Sequence, residues 1–261
     1  MKKAIQLVLI YMLVQVLGAL IAGPLCLAYS YVAYGSIEGA ESLTLAPAML
    51  FGFLIMGWYL WKQGYLTGDR QLYSPVSAGV LLWSVLAGMS VVFLSDVLTS
   101  KLDFLPDWLE NTFDALQAGW LGIVCVALLG PVLEELLFRG AVTKVLLRRY
   151  SPAVAIVVSG LLFGIFHLNP AQIVGASLAG FLFAWIYWRT GSLVPCILIH
   201  VLNNSLSVFL SLRYPEAESL TEVLGVEWPW GGIAVSLLVL VVSLRLLWKC
   251  NYRTDWKRSE V

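Results

Sequence analysis

Eight apolar runs divide the chain, at about residues 4 to 33, 43 to 61, 76 to 99, 118 to 147, 153 to 169, 170 to 188, 192 to 212 and 230 to 248. A transmembrane helix needs about 20 mostly apolar residues. The pattern therefore predicts an all-α polytopic membrane bundle of about eight transmembrane helices, with residues 1–261 forming a single integral membrane domain. Composition agrees: 60% of residues are hydrophobic and 12% charged, against about 45–50% and about 25% in soluble domains. This excludes a soluble globular enzyme. The 11 Trp, 11 Tyr and 11 Phe mostly flank the apolar runs, where amphipathic rings suit the headgroup level. Each break carries turn or charge signals, among them Lys62-Gln63-Gly64, Gly68-Asp69-Arg70, Asn169-Pro170 and Thr190-Gly191-Ser192.

The 16 basic and 16 acidic residues cancel, which argues against a nucleic-acid partner and leaves the distribution as the informative quantity. With a cytoplasmic N-terminus, the inner segments collect Lys2, Lys3, Lys62, Arg70, Lys144, Arg148, Arg149, Arg189, Arg245, Lys249, Arg253, Lys257 and Arg258. The outer segments hold Glu38, Glu41, Asp103, Asp107, Glu110, Asp114, Glu216, Glu218, Glu222 and Glu227, with Lys101 and Arg213. The positive-inside bias then puts both termini in the cytoplasm of a multi-pass cell-membrane protein. The apolar stretch after Met1-Lys2-Lys3 runs well past a signal-peptide core of roughly 7–15 residues and reads as a retained first span. Residues 102–117 alternate apolar and acidic positions at helical spacing, as a short amphipathic helix on the outer surface would. Cys26, Cys125, Cys196 and Cys250 form no CxxC pair and read as buried small apolar residues.

Three spans carry polar groups that a membrane helix normally avoids, since a central charge costs at least about 2.5–3.5 kcal/mol. Run four contains Pro131-Val132-Leu133-Glu134-Glu135-Leu136-Leu137-Phe138-Arg139-Gly140. Glu135 and Arg139 stand one helical turn apart and can neutralise each other, while Glu134, rotated about 100° away, needs another partner. Run five carries Phe163 and His167; run seven carries His200, Asn203 and Asn204. These are the two histidines of the chain. A glutamate backed by histidine can take a proton from water, and a histidine with an amide NH2 can donate to a tetrahedral oxyanion. Glu134, His167 and His200 could instead hold zinc with water in the fourth place, although the HExxH signature is missing.

Glu134-Glu135-x-x-x-Arg139, Phe163-x-x-x-His167 and His200-x-x-x-Asn204 resemble, in order, the three motifs of the CPBP intramembrane proteases, also called the ABI or CAAX-protease and bacteriocin-processing family. Thr190-Gly191-Ser192-Leu193 before the third motif is similar too, and the resemblance covers about residues 118–210, the motif-bearing core. It implies an intramembrane endopeptidase in which Glu134 activates water with help from His167, while His200 and Asn204 hold the oxyanion. Glu135 and Arg139 become the structural ion pair, and Phe163 lines the pocket. The family has often been called metalloproteases, yet its best-understood members look like glutamate-dependent peptidases, so the resemblance favours glutamate, firmly implies no metal and leaves zinc as the alternative. The implied partners are the lipid bilayer and a peptide or membrane-protein substrate.

Two other classes use the same residues. A non-catalytic membrane scaffold, or a bacteriocin self-immunity protein, would keep the fold and bind a membrane partner; intact Glu134 and His167 favour the enzyme. A transporter could use the buried carboxylates, but the sequence lacks the inverted halves that would support one. The positions of Glu134 and His200 within their runs place the site in a water-filled cavity below the membrane surface. A straight span from Ala153 would carry His167 close to the outer face, so that helix must tilt, start deeper or be displaced.

Overall fold

The computed structural model describes all residues except 68, 69, 103, 218, 227, 228, 251–255 and 257–261. Gly68 and Asp69 of the second break, and Asp103, Glu218, Glu227, Arg253, Lys257 and Arg258 of the charge pattern, lie outside the described residues. The helices are α1 (Lys2–Tyr34), α2 (Ala40–Lys62), α3 (Ala78–Thr99), α4 (Glu110–Gln117), α5 (Trp120–Arg149), α6 (Pro152–Phe166), α7 (Pro170–Thr190), α8 (Val194–Arg213), α9 (Leu220–Val223) and α10 (Trp230–Lys249). No strand occurs among the described residues. The chain is a polytopic helical membrane bundle.

Seven helices, α1, α2, α3, α5, α7, α8 and α10, are long and apolar enough to cross a membrane. The fifth apolar run gives α6, whose 15 residues span about 22 Å at 1.5 Å per residue, short of a hydrocarbon core of about 30 Å. Among its described residues, the segment expected to form one amphipathic helix over 102–117 is helical only over Glu110–Gln117. Upstream, Pro106 supplies no backbone N–H, and Asp107 is engaged in side-chain hydrogen bonds that replace helical ones. Cys125 and Cys196 are buried, whereas Cys26 and Cys250 are only half-buried; all four are free thiols.

Local chemistry sets the helix ends. Ser77 and Ser151 accept the Val80 and Val154 N–H groups at the starts of α3 and α6. Gly191, at φ 66°, closes α7 in the left-handed region. Hydrogen bonds gather the connections at two ends of the bundle. At one end the Met1 amine donates to Tyr150 Oη, Ser192 Oγ to the Ser74 carbonyl and Trp256 Nε1 to the Trp188 carbonyl. At the other, Trp108 joins Asn169 and Leu220 joins Asp96.

The α1–α2 and α6–α7 hairpins and α8 pack on α5, while the α3–α10 pair packs on α7, with α3 also touching α8. α5 is the most buried span, 44% of its apolar window being enclosed against 11% for α10. Leu13, Leu20 and Val32 of α1 and Val235 and Leu238 of α10 remain exposed, an apolar outer surface suited to lipid. Where α6 crosses α7, a Cβ on Gly180 would stand 2.9 Å from Gly160 Cα, so only small residues permit this approach. Gly164 fits against Ser177 in the same way, whereas Gly175 has ordinary spacing.

Candidate active site

The site is built on an irregular stretch of α5. Two π-helical segments, Cys125–Leu129 and Phe138–Thr143, flank the α-helical turns Gly130–Leu137. The Gly130 N–H donates to the Cys125 carbonyl, five residues back. Pro131 has no N–H to offer the next carbonyl, that of Val126. Asn204 Nδ2 donates there instead at 3.0 Å, tying α8 to α5 where the helix is locally widened. Such π segments commonly re-aim side chains at functional positions.

Below Pro131, Arg139 Nη1 donates to Glu135 Oε1 at 2.9 Å, both side chains being fully buried. Arg139 Nη2 donates to the Gly180 carbonyl at 3.2 Å, and its guanidinium lies 4.4 Å and 5.0 Å from the Phe163 and Phe183 ring centroids. The glycine crossing of α6 and α7 thus brings a backbone carbonyl to the buried cation. The i, i+4 spacing anticipates the pair; the ring cage and the carbonyl come from the hairpin.

Glu135 has a second role that sequence reasoning missed. His200 Nδ1 donates to the same Oε1 at 2.8 Å, so the carboxylate that neutralises Arg139 also orients the α8 imidazole. This turns His200 Nε2 toward Glu134, 3.8 Å from Oε2, which is too long for a hydrogen bond. No local signal reveals the Glu135–His200 bond, because 65 residues separate the partners. The mid-helix proline at position 131 does signal a freed carbonyl, and hence the Asn204 contact.

His167 follows the last helical residue of α6. α6 is short, and His167 at its end lies on the wall of the cavity. Its Nδ1 donates to the Phe163 carbonyl at 2.8 Å, leaving Nε2 for the cavity. The Phe163 ring packs against both His167 and His200, at 5.0 and 5.7 Å between centroids. Leu168 then takes φ 53°, a left-handed conformation costing a branched residue about 1–3 kcal/mol.

Glu134, Phe163, His167, His200, Asn203 and Asn204 all line one cavity of about 620 Å³. Glu135 and Arg139 are fully buried behind it. The structure thus brings together every residue named from the three motifs. The ring standing against Glu134 is that of His200, and His167 shares the same cavity. Among the described residues, no three His, Cys, Asp or Glu side chains form a metal-binding group.

Residues 116–206 match the family model described as type II CAAX prenyl endopeptidase Rce1-like. Over that segment, about a third of its length, the chain is similar to the CPBP family. It is 25% identical over 228 residues to the Bacillus subtilis (strain 168) protein named "Putative membrane peptidase YdiL", an alignment covering 82% of this chain and 91% of the relative. No solved structure matches the chain at a significant level. The matched segment contains Glu134, Glu135, Arg139, Phe163, His167, His200 and Asn204, and thus the cavity wall formed by α5, α6 and α8.

Proposed function

We propose that the protein is an intramembrane endopeptidase that hydrolyses a peptide bond with a water molecule activated by Glu134. The observation that carries this reading is the convergence of Glu134, His167, His200 and Asn204, from three helices, on one cavity inside the bundle. Glu134 takes a proton from water and the resulting hydroxide attacks the scissile carbonyl. The same proton then passes to the leaving amine. His167, with Nδ1 held by the Phe163 carbonyl, offers Nε2 to the water. His200 Nε2, when the ring carries both protons, and the second N–H of Asn204 Nδ2 donate to the oxyanion. Glu135 and Arg139 hold His200 and take no part in bond breaking.

Glutamate rather than zinc is the agent in this reading. The presence of Asn204 beside His200 on the cavity wall supports it, because an amide suits donation to an oxyanion better than ligation of zinc. The basic residues at the end that holds Met1, Tyr150 and Arg189 support a cytoplasmic placement of that end. The substrate is a peptide or membrane-protein segment that reaches the cavity from the bilayer or its surface. Peptidomic comparison of membranes containing wild-type protein or Glu134→Ala tests the assignment: cleavage products should disappear in the variant. Identical peptide profiles, with both proteins folded and equally abundant, refute it.

A further inference from the structure

We infer that Asn169, clasped to Asp107 and Trp108, is a positioning residue that holds His167 in the cavity; the inference rests on the proposed role of His167. Asn169 is the N-cap of α7, a position where asparagine normally spends its side chain on the first turn of its own helix. It makes no such bond here. Although fully buried, it directs both ends of its amide across the bundle. Its Oδ1 accepts the Trp108 N–H at 3.0 Å, and its Nδ2 donates to Asp107 Oδ1 at 2.9 Å. Asp107 Oδ1 also accepts the Leu109 N–H at 2.9 Å, so one carboxylate oxygen orders its own loop and receives Asn169.

The clasp lies two residues from His167, across the left-handed Leu168. A branched side chain at φ 53° persists only where its surroundings over-determine it. On the α6 side the turn is held by the His167 and Leu168 N–H groups, which donate to the Gly164 and Ile165 carbonyls. On the α7 side it is held by Asn169. With the clasp released, Leu168 can relax toward the right-handed region, and that rotation swings the end of α6 that presents the imidazole. The side chain of Asp107 is exposed and remote in sequence, so its removal disturbs the turn without touching the packed core.

The test compares Asp107→Ala, Asn169→Asp and the exchange Asn169→Asp with Asp107→Asn, in purified full-length protein. The single Asn169→Asp change sets carboxylate against carboxylate. The exchange restores an amide donor to a carboxylate and keeps acceptors for the Trp108 and Leu109 N–H groups. The probe is the internally quenched peptide, taken from a mixed-sequence pool, that wild-type protein cleaves fastest. Both single variants should lose on the order of 10- to 100-fold in kcat per folded molecule, with KM held within about twofold, and the exchange should recover most of it. The chain holds two histidines, so imidazole nitrogen NMR on tag-free protein supplies a readout independent of substrate. The His167 signals should move in Asp107→Ala and return in the exchange, while those of His200 stay in place. Full kcat and unshifted His167 signals in Asp107→Ala overturn the inference, as does a folded exchange variant without recovery. A fully active His167→Ala instead overturns the catalytic assignment itself.

Discussion

Replacing Glu135 by alanine separates the stability of this site from its chemistry. The change removes the acceptor of two hydrogen bonds from ionisable groups, Arg139 Nη1 at 2.9 Å and His200 Nδ1 at 2.8 Å. Arg139 keeps the Gly180 carbonyl and the Phe163 and Phe183 rings, but loses the only carboxylate paired with it among the described residues. Breaking a buried pair on one side costs about 3–5 kcal/mol. Adding Arg139→Leu removes the stranded cation and leaves mainly the His200 N–H without an acceptor, worth about 1–3 kcal/mol. The double variant should therefore be more stable than Glu135→Ala by about 1–3 kcal/mol, or several degrees of melting temperature in detergent. Peptidase activity should not return with it, because nothing in the double variant orients His200. A double variant melting at or below the single one refutes the ion-pair account, and one that regains full turnover refutes the orienting role of Glu135.

Glu134→Gln and His167→Gln should each abolish turnover while shifting the melting temperature little, since neither group neutralises Arg139; a fully active variant excludes that residue from the chemistry. Asn204→Leu should lower stability by about 1–3 kcal/mol by leaving the Val126 carbonyl unpaired, and a melting curve identical to wild type shows that another donor serves it. Prolonged treatment with a strong zinc chelator should leave activity unchanged, and loss restored specifically by zinc overturns the glutamate-only mechanism. In a background lacking native cysteines, Ser207→Cys on the cavity wall should react with a small hydrophilic thiol reagent in intact membranes, and Leu238→Cys on the lipid-facing side of α10 should not; equal inertness rules out water access to the cavity.

Much of this protein is fixed by short-range pattern. The apolar run lengths place the membrane helices, because burying a helix in hydrocarbon depends on composition along a continuous segment. The four-residue spacing of Glu135 and Arg139 gives their ion pair, since helical geometry alone puts those side chains on one face. Pro131 and the unpaired position of Glu134 are visible in the same way, and the three motifs name the cavity residues. What the tertiary structure decides is which distant groups meet. Glu135 receives His200 across 65 residues and the Val126 carbonyl receives Asn204 across 78, bonds set by how α8 packs on α5. The length of α6 could not be read from its apolar run, which continues through Leu168; the helix ends where Asn169 finds partners in a loop 61 residues away. Hydrophobic periodicity records which face of a helix is buried, but it carries no information about the neighbour that buries it. The placement of His167 and His200 around Glu134 therefore belongs to the packed bundle.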